Sequence, residues 1–443
     1  MAQKLIVIGA NGTGLSCAME ASRKFANFNI TVFDKSKYIS YGACSMPYVL
    51  NDMVEDYTKI FARSKEFFEK KGIDIRIETE VINIKLNEKK VEYKDKSGKI
   101  EEMSYDKLMI ATGSKSRKLP FEKENQKNVF HFTKMEDLLM VKKYMKDNDV
   151  KNITVIGGGY IGAEVADSLS DTGRKVTLVE MFEILSVFDE DIKLPLREVL
   201  AKKENLTIIE GKGIKDLIWN SDIVKSVLLE DKSEIQTDMV IVSAGVLPET
   251  TLAEKAGLRL GESKAIQVNK KGQTSVHNVF AGGDCAEIYH SVLDKFVYIP
   301  LGTNANRTGK IIGRNFEVCC KEVAICGTSM LEIAGLQMAS TGISEKLAKK
   351  LNLNYVTKMK DYHLKPGYFS NDKIWIKMIV EKYTSKILGC QMIGHSEVHG
   401  KINNVATMIH NKMRITDVES IDMGYHPIMS TVWDPLILIA RKF

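Results

Sequence analysis

The chain has 443 residues, of which 44% are hydrophobic and 27% are charged, and its formal net charge is +6 at pH 7. This length and composition predict an ordinary globular protein of about two to four domains. The basic residues are spread without a dense block, which argues against nucleic-acid binding. No apolar run is long enough to span a membrane, and no charged-then-apolar leader precedes the first predicted strand at Lys4. We therefore expect a cytoplasmic protein without a membrane segment.

From Lys4 onward, the chain opens with a pattern typical of a dinucleotide-binding unit. Residues 4–8 form a continuous apolar run, as in a strand buried on both faces, and a helix is predicted over residues 15–25. The glycine-rich turn between them would let the backbone approach a pyrophosphate at the helix N-terminus. A second strand, residues 30–33, ends in a carboxylate that can accept from a ribose hydroxyl. The predicted contacts are Gly9, Asn11 (in the middle glycine position), Gly12, Gly14, Asp34 and Lys35.

Beyond this unit the periodicity changes. A helix followed by a strand is predicted within residues 61–75, and alternating strands with polar turns over residues 81–105 predict an antiparallel meander. An apolar strand over residues 105–113 then stops at Ala111, Thr112 and Gly113. We expect the chain to leave the first nucleotide-binding unit there.

A second dinucleotide-binding unit begins at Asn152. A strand runs into a complete Gly-x-Gly-x-x-Gly turn, followed by a helix over residues 163–173 and a strand that ends in an acidic residue. That carboxylate would accept from an adenosine ribose and repel a 2'-phosphate, which favours NADH over NADPH. The predicted contacts are Gly157, Gly159, Tyr160, Ile161, Gly162 and Glu180.

The remainder of the chain predicts a return to the first unit and then a third domain. An apolar strand near residue 240 ends in a turn at Gly245, and another runs into Gly283 and Asp284 at an apparent helix start. The Asp284 carboxylate either binds a ribityl chain or pyrophosphate or caps a helix. From about residue 325 we predict an α/β interface module with strands over residues 341–346, 373–380 and 387–394 and a helix over residues 399–413.

The seven cysteines are sparse and odd in number, which predicts a reducing compartment, no disulfide framework and no zinc site. We predict a structural role for the adjacent Cys319 and Cys320. Cys44 is different because it lies in the turn SYGACSMPYV and has no cysteine two to five residues away. A lone sulfur can cycle only as a mixed disulfide, persulfide or sulfenic acid. The alternative is a small buried hydrophobic residue.

Taken together, these motifs resemble the single-cysteine branch of the FAD-dependent pyridine nucleotide-disulfide oxidoreductases. The likeness also includes YDKLMIATGS, VSAGVLPE, VFAGGDCAE, YIPLGTNANRTGKIIG and GYHPIMSTVWDP, and it covers nearly the whole chain. The resemblance implies two Rossmann-like α/β domains and a C-terminal α+β dimerisation domain. The implied divisions are FAD-binding residues 1–115 and 247–324, NADH-binding residues 116–246 and dimerisation residues 325–443. The implied cofactors are FAD and NADH, with NADPH as the alternative, in a homodimer.

Within this branch the cysteine turn is similar to that of the coenzyme A disulfide and persulfide reductases. Pro47 and Tyr48 match them, and Gly12 stands where related NADH oxidases and peroxidases place a histidine. Ala43 and Ser45 depart from the pattern because an asparagine often precedes the cysteine and a glycine or alanine follows it. The alternatives are an oxidase or peroxidase acting on oxygen species and a non-catalytic flavin sensor.

The resemblance also assigns roles to residues outside the fingerprints. Cys44, near a helix start, would have a lowered pKa and attack a disulfide or persulfide sulfur, while two tyrosines of the partner subunit reach that sulfur. The tyrosines match Tyr368 and Tyr425. Coenzyme A, as substrate or bound adduct, would contact the positions of Ser16, Arg23, Ser40, Lys71 and Asn306.

Overall fold

The computed structural model describes residues 2–317 and 322–443. The predicted structural pair Cys319 and Cys320 lies outside the described residues. Among the residues that are described, none of the helices has both the length and the apolar character needed to cross a bilayer.

Residues 2–116 form the first nucleotide-binding unit and the meander. The strands are β1 Gln3–Ile8, β2 Phe28–Phe33, β3 Ile73–Arg76, β4 Glu80–Lys85, β5 Lys90–Lys94, β6 Ile100–Ser104, β7 Lys107–Ile110 and β8 Ser114–Ser116. The helices are α1 Gly12–Lys24, α2 Met46–Leu50 and α3 Lys65–Glu69. Strands β4, β5 and β6 pair antiparallel, which confirms the predicted meander.

Residues 117–248 contain the second unit. The strands are β9 Val129–His131, β10 Asn152–Ile156, β11 Lys175–Glu180, β12 Leu206–Glu210, β13 Ile214–Asn220, β14 Ile223–Leu229, β15 Glu234–Gln236, β16 Met239–Val242 and β17 Val246–Pro248. The helices are α4 Met135–Asp147, α5 Tyr160–Ser170 and α6 Leu194–Leu200. Strands β8 and β17 pair with each other where the chain enters and leaves this unit.

The later elements complete the first sheet and build the third domain. Residues 249–317 form α7 Thr251–Lys255, β18 Val279–Ala281, β19 Ile288–His290, β20 Lys295–Val297 and α8 Gly302–Arg314. The remaining strands are β21 Ala324–Ile325, β22 Ser329–Ile333, β23 Leu336–Gly342, β24 Tyr355–His363, β25 Lys373–Glu381 and β26 Ile387–Gly394. The remaining helices are α9 Glu345–Lys350, α10 Val398–His410, α11 Ile415–Val418 and α12 Pro435–Ala440.

Two parallel sheets place the predicted nucleotide turns. The first has the order β18-β7-β1-β2-β3 and the second the order β12-β11-β10-β16-β9. In each, the glycine-rich turn follows a strand with neighbours on both sides, at the carboxyl edge where parallel α/β sheets bind ligands. Strand β18 comes from the far side of the second unit, so the first sheet is built from two separate pieces of chain.

The third domain is an antiparallel sheet of order β22-β23-β26-β25-β24. One face packs under α10 and α12 through residues such as Ile376 and Met378. The opposite face contributes Met338 and Ile393 to a core shared with the second unit. Met46, Val49 and Leu50 of α2 belong to the same shared core, so the segment after Cys44 rests on both neighbouring domains.

Two predicted elements are wrong in detail. Residues 341–346 are not a strand, because β23 ends at Gly342 and α9 begins at Glu345. Ser344 explains the helix start, since its side chain accepts from the backbone N–H of Leu347. The apparent helix start at Gly283 is only a short 3₁₀ turn, Gly283–Cys285, and the long helix begins at Gly302.

Candidate active site and dinucleotide sites

Cys44 lies in a 3₁₀ turn, Ala43–Ser45, that leads directly into α2. Pro47 occupies the first turn of α2, where its missing N–H leaves no helical hydrogen bond unmade. The turn is held by a hydrogen bond from Gly42 N to Ile60 O at 2.9 Å. Cys44 is exposed and carries a free thiol, so the alternative of a small buried hydrophobic residue is wrong.

The sulfur of Cys44 faces the N-terminus of α8. A Cβ atom added at Gly302, the first residue of this helix, would lie 3.6 Å from Cys44 Sγ. The glycine therefore leaves space beside the sulfur. The N-terminus of a 13-residue helix also carries a partial positive charge, which favours a thiolate.

The predicted lowering of the Cys44 pKa is not found in the chain itself. Although solvent reaches the side chain, the surrounding protein removes enough water from the thiol to raise its pKa, and the carboxylates of Glu164 and Asp284 raise it further. Formation of the thiolate therefore depends on what else enters the site.

Glu164 is a site residue that the sequence prediction missed, and its charge acts on both Cys44 and Tyr48. Burial, followed by the charge of Asp167, raises the pKa of Glu164 to about 7. Burial, followed by the charge of Glu164, raises the pKa of Tyr48 to about 12. Glu164 lies on α5, two residues after the last glycine of the second fingerprint. The sequence signal for it was therefore an acidic residue that directly follows that motif.

The first glycine turn has the shape that a pyrophosphate requires. Gly9 has φ +110°, and a Cβ added at Gly14 would lie 1.8 Å from Gly9 O. Asp34 braces the turn, because it accepts from Ala10 N at 2.6 Å and from Ser36 N at 2.8 Å. The alternative role of Asp284 as the cap of a long helix is wrong, since α8 begins only at Gly302.

Several buried polar atoms around Asp284 find no partner among the residues that the structure describes. Asn304 Nδ2 and Thr308 Oγ1 are unsatisfied, and both residues line a cavity together with Gly283 and Asp284. The buried Tyr298 Oη is also unsatisfied, and Asp284 contributes to raising its pKa. Buried polar groups are normally hydrogen-bonded. This set therefore fits a polar cofactor such as a flavin dinucleotide.

The second glycine turn repeats the first. A Cβ added at Gly157 would lie 2.4 Å from Ser243 O, whereas one at Gly159 would meet open space. The Glu180 carboxylate accepts from Gly158 N at 2.6 Å and from Phe182 N at 3.0 Å. The other predicted contacts lie in the turns that follow the strands or at the start of the next element: Tyr160 and Ile161 open α5, Gly245 lies between β16 and β17, and Ala111, Thr112 and Gly113 follow β7.

Most of the residues assigned to coenzyme A lie along α1 and its neighbours. Ser16 Oγ donates to Asn306 Oδ1 at 3.0 Å, which joins α1 to α8. The backbone oxygen of Lys71 accepts from Ser22 Oγ at 3.0 Å and so lies beside the last turn of α1, which carries Arg23. Ser40 donates its N–H to Ala10 O at 3.1 Å.

The two tyrosines assigned to the partner subunit are on the surface. Tyr368 is 77% exposed and Tyr425 is 48% exposed. Both belong to the third domain, where Tyr368 contacts Phe369 with ring centroids 4.8 Å apart. A single chain therefore leaves both rings free to face another molecule.

Comparison with known proteins settles the family. Residues 3–309 match the model described as pyridine nucleotide-disulphide oxidoreductase, and residues 331–436 match the dimerisation domain of the same family. The chain is a pyridine nucleotide-disulphide oxidoreductase. The α/β fold, the dimerisation domain and the NAD(P)H-dependent oxidoreductase class predicted from the sequence are confirmed.

Three similar proteins span essentially the whole oxidoreductase. The NAD(P)H coenzyme A polysulfide/persulfide reductase of Pyrococcus horikoshii is 31% identical over 447 residues, covering 100% of this chain and 98% of the relative. An NADH oxidase of Methanocaldococcus jannaschii is 31% identical, covering 99% and 98%. The solved structure of reduced Bacillus anthracis CoADR-RHD is 29% identical with a TM-score of 0.95, covering 100% of this chain and 80% of that one.

Membership of this oxidoreductase family implies FAD and NAD(P)H as cofactors. The unsatisfied polar atoms near Asp284 and the turn at Gly9 fit the first of these. The open turn at Gly159 and the carboxylate of Glu180 fit the second.

Proposed function

We propose that this oxidoreductase reduces coenzyme A disulfide or coenzyme A persulfide with NADH, using Cys44 as its one redox-active cysteine. The observation that carries the proposal is the exposed, unpaired Cys44 sulfur beside Gly302 at the start of α8. Asn306 lies on the same helix, one turn after Gly302, and accepts a hydrogen bond from Ser16 of α1. The similarity to a coenzyme A polysulfide/persulfide reductase supports the same substrate class.

The chemistry of Cys44 is thiol–disulfide exchange. The Cys44 thiolate attacks one sulfur of coenzyme A disulfide, a Cys44–coenzyme A disulfide forms, and the substrate S–S bond breaks to release one coenzyme A thiolate. Bound FAD supplies the two-electron exchange between NADH and sulfur. Over the cycle one NADH and one proton are consumed, two coenzyme A thiols are released, and Cys44 returns to its thiolate.

Charged and hydrogen-bonding residues complete the proposed site. Arg23 and Lys71 are the cations that would bind the phosphates of coenzyme A, with Ser16, Ser40 and Asn306 as neutral contacts. Tyr368 and Tyr425 of the partner subunit would protonate or hydrogen-bond the departing thiolate. The dimerisation domain supports a homodimer as the working form.

Glu180 is the basis for proposing NADH over NADPH. Its carboxylate stands at the end of β11 and would lie against a 2'-phosphate, whose charge it repels. The next two residues, Met181 and Phe182, carry no charge that could offset this repulsion.

An oxygen-reducing activity is the second candidate, because an NADH oxidase is as similar to this chain as the persulfide reductase is. Gly12 argues against it. A Cβ added there would lie 3.3 Å from Asn306 Nδ2, so a side chain at the position that holds a histidine in the resembling oxidases would crowd a residue of the proposed substrate site.

Steady-state NADH oxidation by the FAD-loaded protein tests the proposal. We expect rapid, Cys44-dependent oxidation with coenzyme A disulfide under anaerobic conditions, and loss of that activity in Cys44→Ser. Mass spectrometry of the unreduced protein should also detect a coenzyme A adduct on Cys44. Equal rates with oxygen alone in the wild type and in Cys44→Ser would show that the thiol mechanism is wrong. Flavin binding without turnover of any acceptor would favour a redox sensor instead.

A further inference from the structure

Lys377 is a buried lysine that has no part in the chemistry described above. It lies in β25, and only 2% of its side chain is exposed. Its Nζ contacts Asp191 Oδ1 at 2.7 Å, Glu345 Oε2 at 2.6 Å and Asp189 Oδ2 at 3.3 Å. A buried ammonium group is tolerated only when it is well paired. Two of its partners, Asp189 and Asp191, belong to the second nucleotide-binding unit, so this cluster joins two domains.

Strand β26, which pairs with β25, also connects the third domain to the second nucleotide-binding unit. Gln391 lies opposite Lys377 in the sheet and is fully buried. Its Oε1 accepts from Asp189 N at 2.9 Å, and its Nε2 donates to Val187 O at 3.1 Å. Lys377 and Gln391 thus hold residues 187–191 on the face of the third domain's sheet by both side-chain and backbone contacts.

Asp189 has a second set of partners in the third domain. Its carboxylate accepts from Glu345 N and Lys346 N, each at 2.9 Å, at the start of α9. The same carboxylate therefore contacts Lys377 and satisfies backbone N–H groups that a helix start leaves without partners. Displacing it would expose both the lysine and the helix end.

Residues 184–185, just before this anchored segment, support the second glycine turn. Leu185 N donates to Gly158 O at 2.7 Å, and a Cβ added at Gly158 would lie 2.7 Å from Ile184 Cγ2. Gly158 N is also the donor to Glu180. The buried Lys193 fixes the segment again by donating to Ile184 O at 2.9 Å. A shift of residues 184–193 would therefore move the turn and the carboxylate that are proposed to receive the nucleotide.

We propose that Lys377 is a positioning residue for the adenosine half of NADH, acting from the dimerisation domain through residues 184–191. It would not touch the nucleotide itself. The inference rests on NADH use as proposed above, and it assigns the third domain a role in nucleotide affinity in addition to dimerisation.

Nucleotide binding to the FAD-loaded protein tests this role. In Lys377→Met, the three carboxylates lose their shared cation and repel one another, so residues 187–191 should shift on the sheet even though their contacts with Gln391 and α9 remain. We expect the Kd for ADP-ribose, measured by calorimetry, to rise about tenfold, equivalent to ~1.4 kcal/mol. The KM for NADH should rise similarly, while FAD content, kcat at saturating NADH and the KM for coenzyme A disulfide stay at wild-type values. A purely structural role would lower the melting temperature without this selective loss.

Lys373→Met is the matched control. Lys373 lies on the same strand, and its Nζ pairs with Asp361 at 2.9 Å inside the third domain, so the Kd for ADP-ribose should not change. Asp191→Asn removes the charge of the carboxylate that contacts Lys377 through both oxygens and keeps the Asp189 contacts with α9. Asp191→Asn should also raise the Kd for ADP-ribose. If Lys377→Met does not fold, this variant tests the proposed role of the cluster instead.

An ADP-ribose Kd within about twofold of wild type in Asp191→Asn and in any folded Lys377→Met protein would overturn the proposal. An equal rise in Lys373→Met would overturn it as well. The disulfide acceptor takes no part in this binding measurement. A wild-type protein that binds ADP-ribose but does not reduce coenzyme A disulfide would therefore contradict the proposed function and not the role of Lys377.

Discussion

At the residue scale, the reactivity of Cys44 depends on charges contributed by distant parts of the chain. After burial, the carboxylate of Glu164 is the largest contribution that raises the Cys44 pKa. Glu164 itself has a pKa raised to about 7. Above that pH, the charged Glu164 carboxylate disfavours the Cys44 thiolate. Below that pH, Glu164 is protonated and no longer has this effect. The pH dependence of sulfur chemistry should therefore report on both groups.

Glu164→Gln should lower the Cys44 pKa, because a neutral amide replaces the opposing charge. The pH profile of Cys44 alkylation by iodoacetamide, followed by mass spectrometry, measures this shift. Glu332→Gln is the matched control, since Glu332 acts on Tyr48 and is not among the groups that shift Cys44. Identical profiles for Glu164→Gln and wild type would show that the charge of Glu164 does not control the thiol.

At the scale of elements, the sequence correctly predicts local structure that is determined by residues close together in the chain. The turns at Gly9 and Gly157 follow from strand, glycine and helix signals within one stretch of chain, and both lie where predicted. The sequence predicts a strand over residues 341–346, whereas the capping by Ser344 decides for a helix from Glu345. Interactions between distant segments, such as the ion pair of Lys377 with Asp191 or the effect of the Glu164 charge on Cys44, have no local signal and required the structure.

The approach of Cys44 to Gly302, at the start of α8, also brings together two segments that are distant in the sequence. Gly302 has no positive φ, and a Cβ there would lie at an ordinary contact distance of 3.6 Å from Cys44 Sγ. Gly302→Ala should therefore fold and retain activity. Gly302→Val adds methyl groups beside the sulfur and should slow its reaction with coenzyme A disulfide by about tenfold or more, equivalent to at least ~1.4 kcal/mol in the barrier. Stopped-flow rates under anaerobic conditions measure this, and equal rates for the two variants would show that Gly302 does not border the attack path.

At the scale of the whole molecule, one chain leaves a large apolar surface uncovered on the third domain. The exposed side chains there are Tyr368, Phe369, Tyr425, Ile428, Met429, Val432 and Trp433. Exposed apolar side chains in such number are typical of a protein interface. We propose that a symmetric dimer covers these side chains and brings the two tyrosines of each chain to the other chain's Cys44.

Mixed dimers test whether the tyrosines act across the interface. A Cys44→Ser chain and a Tyr368→Phe/Tyr425→Phe chain should each be impaired as homodimers. When the two are co-expressed with different tags and purified as a heterodimer, one site pairs an intact Cys44 with intact tyrosines, so about half of wild-type turnover should return. If the tyrosines served the Cys44 of their own chain, neither site in the heterodimer would be complete, and turnover would stay at the level of the impaired homodimers. Size-exclusion chromatography with light scattering confirms that the measured species is the dimer.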